Sequence, residues 1–187
     1  KSYNNGHINV MIDYFETNAR KVLRSDTEKI DIGLIVVSKN FFHNNRRTLF
    51  NTKLPVFKMG KGGFASLKEG IVLSNQAEEI EKESSVIFDV AKQLSLDIKL
   101  YTYDPDKKTE KNNLIEHFDN LSKLFGRDVT VVESEKNPLL KLKNKNNILQ
   151  FLPFSKKVLE SSFWSIFSTD MEKLHFQLSH NYQLFIP

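Results

Sequence analysis

Residues 32–38 read Ile-Gly-Leu-Ile-Val-Val-Ser, a short apolar run rich in β-branched residues. A run of this length without polar alternation is typical of a strand that is covered on both faces, as in parallel sheets. A polar, basic segment follows over residues 39–51, and we predict it to be a loop. A second short strand is predicted over residues 54–59, where Pro55 suits an edge strand or a strand start. Upstream, apolar residues recur at helical spacing and predict a helix over residues 8–24.

Beyond a glycine-rich break at residues 61–63, predicted strands and helices alternate along the chain. The predicted strands are 70–73, 98–103, 129–132, 148–152 and 182–186, and the predicted helices are 78–94, 112–124, 139–142 and 156–178. Such alternation is the sequence pattern of parallel βαβ units. The fold class predicted is therefore α/β, with a mostly parallel sheet flanked by helices.

A short internal repeat in the order of predicted elements indicates how the chain is divided into units. A strand, a polar segment and a closing strand occur over residues 35–57, and a similar order occurs over residues 152–187. We therefore predict a partial α/β unit over residues 1–60, a connection over residues 61–69 and one full unit over residues 70–187.

The closing strand at residues 182–186 is short and apolar, and an open edge of that kind needs a partner or a cover. We therefore predict one of two arrangements. Either the chain forms a homodimer, or the closing strand pairs with the first unit of the same chain. An aromatic stripe that contains Phe163, Trp164 and Phe167 is interpreted as core or as the buried centre of an interface.

Composition excludes several classes of function. The 27 basic and 23 acidic residues give a mild net charge of +4. The densest basic stretch, residues 136–145, is interpreted as a solvated loop, so no nucleic-acid partner is predicted. The absence of cysteine excludes disulfides and fits a reducing compartment. Because no apolar run is long enough to span a bilayer and the first residues are polar, we expect a soluble, cytoplasmic domain.

Motifs of catalysis and cofactor binding are missing from the sequence. It contains no G-x-S-x-G, no phosphate-binding P-loop and no G-x-G-x-x-G. Its five histidines do not have the spacing of a zinc site. The acidic stretch at residues 104–106 is interpreted as a turn and not as a calcium loop. We therefore predict no enzyme activity, no metal and no cofactor.

A ligand site, if the sheet has one, is expected beyond the carboxyl ends of its parallel strands. The polar residues that follow predicted strands are Ser74, Asn75, Asp104, Glu133, Ser134 and Ser155. The alternative interpretation is that these are ordinary loop residues that cap helices. Thr169 and Glu172 form a capping box, in which the carboxylate occupies the free N–H groups of a helix.

The pattern of strands resembles that of the universal stress protein family. Members of that family often end with a strand of the form x-P-V-L-V-V-P. Leu54-Pro55-Val56-Phe57 and Leu184-Phe185-Ile186-Pro187 resemble two such endings. The resemblance covers nearly the whole chain in pattern and implies the fold of that family.

The family's ATP-binding members carry the motif G-x2-G-x9-G-[ST] after their fourth strand, where glycines let backbone N–H groups approach phosphates. On this sequence the motif falls on Ser155, Val158, Ser168 and Thr169, without a glycine. The resemblance therefore implies a degenerate nucleotide site, and it assigns Ser155, Ser168 and Thr169 to any adenine nucleotide that binds.

Degenerate tandem domains of this family also form cytosolic C-terminal parts of monovalent-cation/proton antiporters. Residues 88–89, 101–106 and 114–118 resemble cytosolic segments of bacterial potassium-transport proteins. The resemblance implies a non-catalytic regulatory or interaction domain of a K⁺ or Na⁺/H⁺ transport protein, joined to a membrane transport domain of the same polypeptide and located at the cytoplasmic face of the inner membrane. It would act by dimerisation and by sensing a ligand.

Two alternatives stay open. The first is an adenine-nucleotide-binding universal stress protein. The second is a conductance-regulating domain of a potassium channel or transporter, which would need a dinucleotide-binding glycine fingerprint.

Overall fold

The structure of the protein, a computed structural model, describes residues 2–5, 8–11, 33–73, 77–102, 108–134, 138–142, 144–153 and 180–187. The strands in these ranges are β1 (Ser2–Asn5), β2 (Ile8–Met11), β3 (Ile35–Val37), β4 (Val56–Lys58), β5 (Glu69–Leu73), β6 (Asp97–Thr102), β7 (Val129–Glu133), β8 (Ile148–Pro153) and β9 (Tyr182–Ile186). The helices there are α1 (Lys39–Asn51), α2 (Ala77–Gln93), α3 (Lys108–Phe125) and the short α4 (Leu139–Leu142), with one 3-10 turn at Phe64–Ser66.

Seven of these strands form one sheet in the order β3-β4-β9-β8-β5-β6-β7, and β1 pairs with β2 in a separate hairpin. Neighbouring strands of the large sheet are parallel except β4 and β9, which run antiparallel with Phe57 opposite Leu184. The carboxyl ends of β3 and β4 therefore lie at one end of the sheet, and those of the other five strands lie at the opposite end. The predicted α/β class with a mostly parallel sheet is confirmed.

The two faces of the sheet bury separate apolar clusters. Helices α2 and α3 cover one face, where the rings of Phe88 and Phe118 lie with centroids 5.7 Å apart. Helix α1 covers part of the other face, where Phe42 stacks on Phe185 at 4.8 Å. We call these two sides the α2/α3 face and the α1 face. Phenylalanine fills much of the interior on both, as the composition indicates.

Helix α1 occupies a segment that we had predicted to be a polar loop. Ser38 caps it, because its hydroxyl accepts a hydrogen bond from the Phe41 N–H at 3.3 Å. Phe42, Leu49 and Phe50 are buried against the sheet. The loop prediction was wrong because the segment is rich in asparagine, a poor helix former, and its buried apolar side chains come only near its two ends.

Residues 8–11 form strand β2, so the helix predicted over residues 8–24 is wrong at its start. Tyr3 pairs with Val10 and Asn5 pairs with Ile8 in the hairpin. Ile8 and Val10 are β-branched and alternate with Asn9, which suits a strand as well as it suits a helical stripe. Residues 12–24 lie outside the described ranges.

The other predicted elements that fall within the described residues are observed close to their predicted bounds. Helix α4 and strand β9 have the bounds that we predicted, and β7 and β8 are each one residue longer. The turn at residues 104–106 and the helix at residues 156–178 lie outside the described residues.

Strands from both predicted units lie in the one seven-stranded sheet. Strand β4, from residues 1–60, pairs with β9, from residues 70–187. The closing strand therefore has an intramolecular partner, which is the second of the two arrangements we considered. A homodimer through another surface stays a prediction, as does the division of the chain into two units.

Candidate functional site

The carboxyl ends of β3 and β4 bring several basic side chains together. Ser38 and the first turn of α1 follow β3, and residues 59–63 follow β4. The segment that leads into β9 lies beside them, since the Lys61 N–H donates to the His180 carbonyl at 2.8 Å. Three separate parts of the chain thus meet at this end of the sheet.

Lys58, the last residue of β4, is the central charged group here. It is 0% exposed, which is rare for a lysine. Burial, reinforced by the charge of Lys39, lowers the pKa of its ammonium group to about 7. The group therefore changes its charge near neutral pH, and any anion that reached it would favour the charged form.

Two histidines lie within electrostatic reach of Lys58. Burial lowers the pKa of His43, and the charges of Lys58, Lys39 and Arg46 lower it further. Burial likewise lowers the pKa of His180, with smaller contributions from lysines that include Lys39 and Lys58. We call Lys39, His43, Lys58 and His180 the cation cluster.

The sequence segment that holds Lys39, His43 and Lys58 contains no acidic residue. Residues 32–68 carry seven lysines and arginines and no aspartate or glutamate. The net charge of the whole chain is +4, so the remaining residues carry a net charge of −3. This local run of one sign is the signal that we missed when we judged charge over the whole chain. A segment with seven basic and no acidic residues favours anions near it.

The N-terminus of α1 adds to this preference for anions. Its first turn contains no acidic residue. The free N–H groups at the start of a helix carry partial positive charge, and they favour an anion nearby. The start of α1 therefore favours a ligand that carries a phosphate or carboxylate group.

The chain segments at the site are held at close range by Gly60. A Cβ atom on Gly60 would lie 2.6 Å from both the His180 carbonyl oxygen and the Tyr182 amide nitrogen. The Tyr182 hydroxyl also donates to the Gly62 carbonyl at 2.6 Å. Residues 60–62 are thus fixed against the start of β9, which positions His180 within the cation cluster.

Buried polar side chains continue inward from the cluster along one row of the sheet. Lys58 lies opposite Gln183, and Gln183 lies beside Gln150. The Gln183 amide donates to the Gln150 carbonyl oxygen at 3.1 Å, and both side chains are buried. Among the described residues, the Gln183 side-chain oxygen has no hydrogen-bond partner. The cation cluster therefore borders a polar strip in the sheet interior.

The residues predicted for a ligand site lie elsewhere or outside the described ranges. Glu133 is exposed at the end of β7, and the next N–H, of Ser134, donates to the Thr102 carbonyl at 2.9 Å. These two are at the opposite end of the sheet from the cation cluster. The positions outside the described residues are Ser74, Asn75, Asp104, Ser155, Ser168 and Thr169. Their role in ligand binding stays a prediction.

Two other polar contacts between elements have a structural explanation. Ser84 of α2 and His117 of α3 are hydrogen-bonded at 2.9 Å and join the two helices. Glu69 forms ion pairs with Lys99 at 2.7 Å and Lys145 at 3.4 Å. Within the described ranges, no group of three histidine or acidic side chains is arranged to hold a metal ion, and no helix is both long and apolar enough to cross a membrane.

No protein-family model matches the chain, and no curated protein matches it. Solved structures do match. A universal stress protein from Archaeoglobus fulgidus DSM 4304 superposes with a TM-score of 0.60 at 11% identity, over 89% of this chain and 63% of that one. A putative universal stress protein from Pseudomonas aeruginosa UCBPP-PA14 gives 0.56 at 10% identity, over 89% and 66%.

A third structural neighbour is the cytoplasmic domain of a prokaryotic cation chloride cotransporter. It gives a TM-score of 0.55 at 8% identity, over 90% of this chain and 69% of that one. At sequence identities of 8–11%, these matches show a shared fold. The seven-stranded, mostly parallel sheet with helices on both faces therefore has the fold of universal-stress-protein-like structures.

Proposed function

We propose that this chain is a non-catalytic regulatory domain of a bacterial cation transport protein and that it senses a small anionic ligand at the cation cluster. In this proposal the domain lies at the cytoplasmic face of the membrane and is linked to the transport domain of the same polypeptide. It acts on transport of K⁺, or on exchange of Na⁺ for H⁺, through a change in its own stability and contacts.

The observation that carries the ligand proposal is the burial of Lys58 close to the positive charge of Lys39. A buried ammonium group is costly, and the neighbouring positive charge of Lys39 adds to that cost. A phosphate or carboxylate bound at this end of the sheet would offset that repulsion. Ligand binding would therefore stabilise the region around β3, β4 and the start of β9.

The transport context has a weaker basis. The cytoplasmic domain of a prokaryotic cation chloride cotransporter shares this fold. Two universal-stress-protein structures share it equally well, so the fold alone does not choose between them. The sequence resemblance to cytosolic parts of cation antiporters is what favours the transport context.

The second candidate function is an adenine-nucleotide-binding universal stress protein. The sequence resemblance assigns the nucleotide to Ser155, Ser168 and Thr169 and not to the cation cluster, and the ligand contributes an adenosine part as well as phosphates. The two candidates are separated by ligand choice, since a general anion sensor responds to inorganic phosphate and a nucleotide-binding protein responds to AMP or ATP only.

The experiment is a thermal-shift panel on the whole chain with inorganic phosphate, AMP, ADP, ATP and cyclic dinucleotides. A ligand present at 100 times its Kd adds about 2.7 kcal/mol to the free energy of unfolding. We expect a shift with at least one of these anions and a smaller shift in Lys39→Gln and Lys58→Met. The exposed Lys68 provides the control, Lys68→Gln.

The absence of any shift at millimolar concentration would contradict ligand sensing, and so would a shift that both cluster variants retain. The transport context is tested separately by the complete gene. A full reading frame that encodes no membrane segment would contradict it and would leave the ligand result standing.

A further inference from the structure

The strands on the two sides of the antiparallel β4–β9 contact differ in one respect, which is that no strand among the described residues lies on the outer side of β3. Strands β8 and β9 are parallel neighbours, and β3 and β4 form a similar parallel pair on the other side of the antiparallel β4–β9 contact. Strand β8 has a second parallel neighbour, β5. Strand β3 is the end of the sheet order, so no described strand lies on its other side.

One residue of β3, Val36, has both its backbone N–H and its carbonyl directed to that open side. The Ile35 N–H donates to the Pro55 carbonyl at 2.9 Å, and the Val37 carbonyl accepts from the Met59 N–H at 2.9 Å. Because hydrogen-bonding directions alternate along a strand, the N–H and carbonyl of Val36 point away from β4. They are oriented to pair with another strand.

Exposed apolar side chains surround the same edge. Val36 is 59% exposed and Leu34 is 45% exposed. On β8, the strand that corresponds to β3, the side chains Leu149 and Phe151 on the same α2/α3 face are 0% exposed. Phe64, at 46% exposure, extends the apolar surface beyond β4. We call Leu34, Val36 and Phe64 the β3 patch.

Charge indicates what kind of partner the patch suits. The segment that lies beside β8 and covers it is β5 with α2, residues 69–93, which carries six acidic residues and two lysines. The region around β3, residues 32–68, carries seven basic residues and no acid. An acidic strand and helix would therefore be attracted to β3. A second copy of this chain that met it at β3 would bring two basic regions together.

From these observations we propose that the β3 patch is a docking surface for an acidic partner domain that adds a parallel strand beside β3 and covers Val36 with a helix. Strand addition supplies backbone hydrogen bonds, and the apolar side chains supply specificity. The proposal does not depend on ligand binding at the cation cluster, because it uses the side edge of the sheet and not the carboxyl ends of its strands.

The test uses a labelled synthetic peptide of residues 69–93 as the probe, since that segment fills the corresponding position beside β8. Fluorescence anisotropy measures its binding to the whole chain. We expect saturable binding that weakens with added salt, and at least a tenfold loss of affinity in Val36→Asp. The control is Thr130→Asp, on the exposed edge strand β7 at the far end of the sheet, which leaves the affinity unchanged.

Hydrogen exchange gives a second readout that does not depend on a variant. We expect the peptide to protect the amides of residues 33–38 in the wild-type protein. The proposal is overturned if binding does not saturate when the protein is in 100-fold excess over the labelled peptide. It is also overturned if the peptide protects only amides of β8 from exchange. It is also overturned if light scattering shows a dimer in which Val36→Asp restores the monomer, because a second copy would then occupy the patch.

Discussion

Lys58 lies directly opposite Gln183 across the one antiparallel contact of the sheet, and both side chains are fully buried. The pair joins the two parts of the sheet at the point where its strand direction reverses. A charged group thus lies beside an amide in the interior. A pair of apolar residues at these positions would avoid the free energy cost of removing the charge from water.

The first prediction concerns stability and pH. The pKa of Lys58 is about 7 in the folded protein, below its ordinary value of 10.5 in an unfolded chain. Between these values the unfolded chain binds more protons, so the free energy of unfolding rises with pH, by at most about 1.4 kcal/mol per unit. We expect urea titrations from pH 7 to pH 9 to show this rise in the wild type.

The variant Lys58→Met removes the group at nearly the same volume, and the rise should be absent. Lys68→Met, on an exposed side chain, should keep it. Equal slopes in the wild type and Lys58→Met would show that Lys58 does not titrate in this range.

The second prediction concerns ligand affinity. An anion at the cation cluster stabilises the protonated form of Lys58, so binding takes up a proton when the pH lies above about 7. We therefore expect the affinity for the anion identified by the thermal-shift panel to fall as the pH rises from 6 to 8.5. Above the pKa of Lys58 in the unliganded protein, the fall is up to about tenfold per pH unit. Calorimetry measures this, and the difference between the wild type and Lys58→Met separates Lys58 from titration of the ligand itself. A ligand whose affinity rises with pH would rule out this arrangement.

The third prediction concerns the contact at Gly60. In Gly60→Ala the new Cβ atom would lie 2.6 Å from backbone atoms of residues 180 and 182, which cannot move away as a side chain can. We expect a loss of about 1–3 kcal/mol in the free energy of unfolding. Gly63→Ala is the matched control, since nothing lies within 4 Å of its Cβ position and its φ of −78° suits alanine. Equal stability of the two variants would mean that residues 60–62 are not held against β9.

The fourth prediction concerns the α1 face. Phe185 stacks on Phe42 at 4.8 Å and meets the edge of Phe50 at 5.3 Å, and it is 1% exposed. Phe185→Ala should lower the free energy of unfolding by about 3–5 kcal/mol, since it leaves a cavity. Leu124→Ala, at 76% exposure, should change it by less than about 0.5 kcal/mol. A loss below 1 kcal/mol for Phe185→Ala would show that α1 is not packed on the sheet as described.

The strands and most helices within the described residues could be predicted because they are apolar runs of the right length and period. Strand β9 is an example, since five consecutive residues are buried and strand formers predominate. Helix α1 could not, because Ser38, which caps it, and the asparagines that follow are also loop residues. The hairpin strand β2 was missed because Ile8 and Val10 fit both periods over so short a stretch.

The cation cluster could not be predicted from the strands that were considered. Sequence reasoning placed a ligand at the carboxyl ends of the second unit's strands, near Glu133. The antiparallel pairing of β4 with β9 reverses the first two strands, so that a second set of carboxyl ends lies at the other end of the sheet. No local sequence pattern indicates this reversal, because it depends on the pairing of two strands that are far apart in the chain. The acid-free run over residues 32–68 was nevertheless available as a signal.

The pairing of Val56 with Phe185 also has a consequence for how the chain acquires its structure. The partner of β4, strand β9, is synthesised only after β5 to β8. Contacts between residues so distant in sequence form slowly, because a large loop must close first. Until β9 arrives, β3 and β4 have two open edges and an apolar face. A ribosome-bound chain that has not yet released β9 is therefore the species in which these two strands are most prone to aggregate or to need a chaperone.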